Sequence, residues 1–96
     1  MLKLATIAEH YGVEIMPHVT TGGLFGINLA ATLQAMATVS NCSMVEYCFD
    51  PPLINSDTQQ AMIKRPIWVD AEGCVEVPKL PGLGFELNED WLAANS

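Results

Sequence analysis

The first apolar pattern along the chain has a helical period. Leu4, Ile7, Ala8 and Tyr11 fall at i, i+3, i+4 and i+7, and Gly12 follows where a helix stops. Next comes "VEIM", Val13 to Met16, short and partly β-branched, closed by Pro17, which has no N–H to give a sheet ladder. This predicts a strand that delivers His18 to its end. Thr20, Thr21, Gly22 and Gly23 make a turn, and the Ala, Leu and Met content of Leu24 to Val39 predicts a helix. Apolar side chains occur nearly all round that helix, so it should be buried on most faces. The rest of so short a chain offers too little cover, and a covering surface not encoded here is expected. "MVEYCF", Met44 to Phe49, reads as a second strand that carries Glu46 among apolar neighbours.

The order helix, strand, helix, strand, with a crossover helix of this length, predicts two parallel strands in a βαβ unit. Two parallel strands make no stable sheet alone, because parallel sheets are covered on both faces. The pattern changes at "DPPLINSD", where Pro51, Pro52, Asn55 and Ser56 mark a loop. A weakly signalled helix over Thr58 to Ile63 follows. Two short extended runs, Ile67 to Val69 and Cys74 to Val77, flank a turn through Asp70 to Gly73. A proline-glycine turn at "PGLG" then leads to a short helix with Asn88 as N-cap and Glu89 and Asp90 in its first turn.

Composition narrows the partners. Ninety-six residues allow one small domain. Half are hydrophobic and 16% charged, against about 25% in an average soluble domain, so the chain is made to be covered. Four Lys and Arg against eleven Asp and Glu, net −7, argue against a nucleic-acid partner and against a basic membrane-surface module. The Leu24–Val39 run is too short for a membrane span and is interrupted by Asn28 and Gln34. Cys42, Cys48 and Cys74 form no CxxC pair and no disulfide framework. They read as free thiols in a reducing compartment, and with no targeting signal evident the cytoplasm is the expected location.

Two residues carry candidate chemistry. An imidazole at the carboxyl end of a parallel strand lies where α/β folds bind ligands and can exchange a proton near neutral pH. His18 holds that place, although spacing alone reads it more readily as a loop histidine. Glu46 sits within an apolar strand, where burial would raise its pKa and leave it able to donate a hydrogen bond. The competing reading puts it on a wet or ion-paired face. The two lie 28 positions apart, about what strand, helix and adjacent strand require, so both can project from one end of a sheet. His10 reads as surface decoration. "TTGG" before a helix could offer N–H groups to an anion but lacks a phosphate-loop lysine, and reads as a plain turn.

Several stretches carry a resemblance in order. "IMPH", a glycine-containing loop and Ala-rich helix, "NCSMVEY", and "GCVEVPKLPGLGFELNEDWL" resemble the C-terminal end of the mandelate racemase group of the enolase superfamily, its sugar-acid dehydratases especially. The match runs from about Tyr11 to Leu92. The resemblance implies an α/β fold, a C-terminal fragment of a modified TIM barrel. Residues 1–50 would supply the last two strands and helices, with "VEIM" as the seventh strand and "MVEYCF" as the eighth. Residues 51–96 would be a tail with a short hairpin that contributes to a capping domain.

The chemistry implied by the resemblance is abstraction of the proton α to a carboxylate of an acid sugar. The resulting enediolate is held by Mg²⁺ and then reprotonated or relieved of a β-hydroxyl. By that resemblance His18 matches the general base and Glu46 the glutamate that hydrogen-bonds the substrate carboxylate. The family's metal carboxylates come from the third to fifth strands, its lysine motif from the second and the histidine's aspartate partner from the sixth. None of these matches a stretch of this sequence, so the chain alone is expected to be inactive. The alternatives are a companion chain that completes the barrel, or a non-catalytic module that buries its apolar faces by self-association.

Overall fold

The computed structural model describes residues 1–22 and 24–96; the last position of the predicted "TTGG" turn, Gly23, lies outside the described residues. Among the described residues there are four helices: α1 Leu2–His10, α2 Phe25–Met36, α3 Ser56–Gln59 and α4 Glu89–Asn95. None of these is long and apolar enough to cross a membrane.

α1 ends as its sequence predicts. Gly12 takes a positive φ of 67°, Val13 N–H donates to Ala8 O at 2.9 Å and Gly12 N–H to Glu9 O at 2.9 Å. This pair of bonds is a Schellman cap, which needs a residue free to turn left-handed. The expected apolar stripe of α1 exists but is bare: Leu4, Ile7 and Tyr11 are all exposed, and only Ala5 is buried.

The two predicted strands are not strands. Among the described residues only isolated bridges occur, and neither 13–16 nor 44–49 belongs to a ladder. Side chains hold the two segments together instead. Asn41 Nδ2 donates to Val13 O at 3.0 Å and Ser43 Oγ to Glu14 Oε2 at 2.8 Å; Val19 N–H donates to Glu46 Oε2 at 2.9 Å. One main-chain bond, Ile15 N–H to Asn41 O at 2.8 Å, joins them. The contacts run from Val13 with Asn41 at one end to Val19 with Glu46 at the other, so the parallel course predicted from the helix between them is present. A parallel ladder is missing because such pairs need further strands and a covered face.

The core forms around α2. Phe25, Leu29, Ala30 and Leu33 pack with Val19, Ile63 and Ile67, flanked by Val45, Tyr47 and Phe85. The cover expected to lie elsewhere is therefore largely supplied by the chain's own tail. Gly26 permits the approach: a Cβ there would meet Ile63 Cδ1 at 3.0 Å and Gln60 Cγ at 3.2 Å. Gln60, itself 2% exposed, fastens the tail through Nε2 to Ile67 O at 3.0 Å and Tyr47 Oη at 3.1 Å, while its Oε1 accepts from Ile67 N–H at 2.7 Å. A buried amide is stable there because its polar atoms find partners.

The tail follows its predicted turns more closely than its predicted helix. Val69 bridges Val75, and Asp70 Oδ1 accepts from Glu72 N–H and Cys74 N–H within the turn. α3 begins earlier than the pattern suggested, at Ser56, because Asn55 forms a capping box with Thr58. Asn88 caps α4 by accepting from Trp91 N–H at 3.3 Å. The Cα radius of gyration is 14.4 Å, above the ~12.5 Å of a compact domain of this length; the molecule is drawn out, consistent with the bare face of α1.

Candidate active site

His18 and Glu46 meet. His18 Nδ1 lies 2.6 Å from Glu46 Oε2, and the same oxygen accepts from Val19 N–H. The sequence brings them together in three steps. Pro17 ends the first segment, Val19 is 1% exposed and anchors the chain in the core, and His18 between them is left at the surface with 75% of its side chain exposed. On the other segment Val45 and Tyr47 pack against the core cluster. Tyr47 sits edge-on to Phe25 with ring centroids 5.5 Å apart, and its hydroxyl donates to Ile67 O at 2.6 Å. Glu46 is thus carried between two anchored neighbours.

Of the two readings the sequence left for Glu46, the structure takes the wet, ion-paired one over the buried, protonated one. The Val19 N–H is the main influence and holds the carboxyl below its ordinary value; desolvation opposes it, and the charge of His18 and its hydrogen bond lower it further. Glu46 is therefore an ionised acceptor here, and the protonated donor expected from burial is not formed. The residue sequence reasoning missed is Val19, which contributes through a main-chain N–H that no side-chain pattern signals.

Other candidates fall away from this site. His10 stays on exposed α1, edge-on to Tyr11. Gly22 N–H in the "TTGG" stretch is taken by Gln59 Oε1 at 2.7 Å, so the turn reading holds at that residue. Among the described residues no group of three His, Cys, Asp or Glu side chains is placed to hold a metal ion. The donors present do not fit the magnesium that the resemblance implies.

A histidine and a carboxylate thus meet at one end of two segments joined through a buried helix. The family model for enolase C-terminal domain-like proteins matches residues 1–91, and the chain belongs to that family. Over 94 residues it is 34% identical to D-galactarolactone cycloisomerase of Agrobacterium fabrum, covering 94% of this chain and 24% of that protein. Two solved structures share the fold. A member of the enolase superfamily from Polaromonas sp. JS666 has a TM-score of 0.75 and 31% identity, covering 97% of this chain and 23% of that one. A mandelate racemase/muconate lactonizing enzyme from Jannaschia sp. CCS1 has a TM-score of 0.71 and 29% identity, covering 96% and 21%. The chain thus spans about a quarter of the length of the relatives it matches.

Proposed function

We propose that this chain is the closing portion of a metal-dependent enzyme that abstracts the proton α to the carboxylate of an acid sugar, as a dehydratase or racemase. In this reading residues 1–50 supply the last two strands and helices of a barrel, and residues 51–96 contribute to a capping domain. The observation that carries it is the His18–Glu46 contact, made across 28 residues at the end of two parallel-running segments. The similarity to D-galactarolactone cycloisomerase favours an acid-sugar substrate.

His18 is the general acid/base: its exposed imidazole takes the α-proton and returns it. Glu46 is the second group of the site; it would bond the substrate carboxylate only after taking up a proton on substrate binding, since in the free chain it is an acceptor. Removing an α-proton places negative charge on the carboxylate oxygens; in a complete enzyme a divalent metal would balance it, and among the described residues no side-chain set is placed to hold one. The metal's ligands would come from strands beyond the described residues or from a companion chain. The 96-residue chain by itself is therefore expected to be inactive.

Two assays test this. Residues 11–92 are grafted into the corresponding segment of the Agrobacterium cycloisomerase, and α-proton exchange with deuterated solvent is followed by NMR on a panel of sugar acids with Mg²⁺. The graft should exchange, and His18→Asn should slow it by about 100-fold or more. Exchange by the isolated, metal-loaded chain that disappears in His18→Asn would overturn the reading.

A further inference from the structure

We propose that Gln59 and Gln60, neighbours in the tail, are positioning residues for the candidate site: Gln59 grips the loop that carries His18, and Gln60 grips the segment that carries Glu46. The inference rests on the proposed function, which gives that pair its chemistry. The two segments are braced unevenly. Their one main-chain bond, Ile15 N–H to Asn41 O, and the side-chain bonds of Asn41 to Val13 and Ser43 to Glu14 all lie toward the end away from the site. At the site end the polar contacts between them, among the described residues, are those of Glu46 alone.

The tail braces that end. Gln59 Oε1 accepts from Gly22 N–H at 2.7 Å, in the loop that follows His18. Gln60 Nε2 donates to Tyr47 Oη at 3.1 Å, beside Glu46. Both side chains are buried, at 6% and 2% exposure, and a polar group that deep is held where it has a partner, because leaving it unpaired is costly. An apolar side chain of similar size would fill the space without choosing where Gly22 or Tyr47 lies. The two amides also leave from one fixed point. Gln59 ends α3 and Gln60 is its C-cap, behind the Asn55 capping box, and a Cβ on Gly26 of α2 would meet Gln60 Cα at 3.3 Å. A shift of α3 therefore moves both halves of the site together.

The amide proton of Val19 reports the site, because it donates to Glu46. In the ¹⁵N-labelled 96-residue chain at about pH 7, where the carboxylate is ionised, Glu46→Ala should move that signal upfield, and the size of the shift measures the contact. In a Gln59→Met background, which keeps the bulk and loses the acceptor, the shift should fall by about half or more, since groups in one network couple. Gln59→Glu keeps an acceptor for Gly22 N–H and should restore it. Tyr47→Phe, the milder change that removes only the hydroxyl Gln60 reaches, should diminish it too. A shift undiminished in whichever of Gln59→Met and Tyr47→Phe keep the Trp68 and Trp91 indole signals in place overturns the proposal. So does a loss equal in Gln59→Met and Gln59→Glu, or a Val19 signal that Glu46→Ala does not move. In the exchanging graft, Gln59→Met should slow α-proton exchange about tenfold. Full-rate exchange there overturns the positioning role and leaves the proposed function standing; a graft that never exchanges removes the proposed function, and the Val19 shift still decides whether the tail sets the geometry of the pair.

Discussion

α1 and α2 are both apolar helices, yet they meet opposite fates. α2 buries Phe25, Leu29, Ala30 and Leu33 against Val19 and the tail residues Ile63 and Ile67. α1 leaves Leu4 at 67% and Ile7 at 58% exposure, its C-cap Tyr11 is at 75%, and Val13, Met16, Met44 and Phe49 are exposed as well. The difference is one of partners. Sequence-distant residues of this chain, above all Gln60, fit α2, while among the described residues α1 buries only Ala5, where Asn41 donates to its carbonyl. In the proposed reading, this exposed stripe is a face that meets another surface.

The comparison breaks most sharply at Phe25. Phe25→Ala removes a ring at 1% exposure that also packs on Tyr47, and urea denaturation should record a loss of about 3–5 kcal/mol. Ile7→Ala, on the bare stripe, should stay within about 0.5 kcal/mol and instead reduce any self-association seen by light scattering. Equal losses at the two positions would mean that α1 finds cover after all. Gln60→Ala should cost about 2 kcal/mol, because Ile67 N–H is left buried without its acceptor. A loss as small as that of Ile7→Ala would show that the tail is held by apolar contact alone.

The smallest effect is at the site. The carboxyl of Glu46 is lowered from an ordinary 4.5 by the Val19 N–H and by His18. A depressed carboxyl stabilises the fold above its unfolded value, and that contribution disappears as pH falls through the folded value. Wild type should therefore lose stability more steeply than Glu46→Gln as pH drops below about 4.5, with the two curves parallel at higher pH. Parallel curves throughout would mean that the Val19 bond is not retained in solution. Glu46 is too exposed for the difference to be large.

Much of this was legible in the residue order, and the part that was not has a physical reason. The period of Leu4, Ile7, Ala8 and Tyr11, the glycine after it, the Asn88 cap and the turn at Asp70 to Gly73 are local devices, and local devices act wherever the chain is. The sequence likewise determined that two parallel-running segments would bracket one helix, which is why His18 and Glu46 could be expected at the same end of them. Only the tertiary structure decided that the tail would cover α2, because the fit of Gln60 and Ile63 against Gly26 depends on contacts more than thirty residues apart. It also decided the state of Glu46, since the N–H of Val19 reaches that carboxylate only when Val19 is seated in the core.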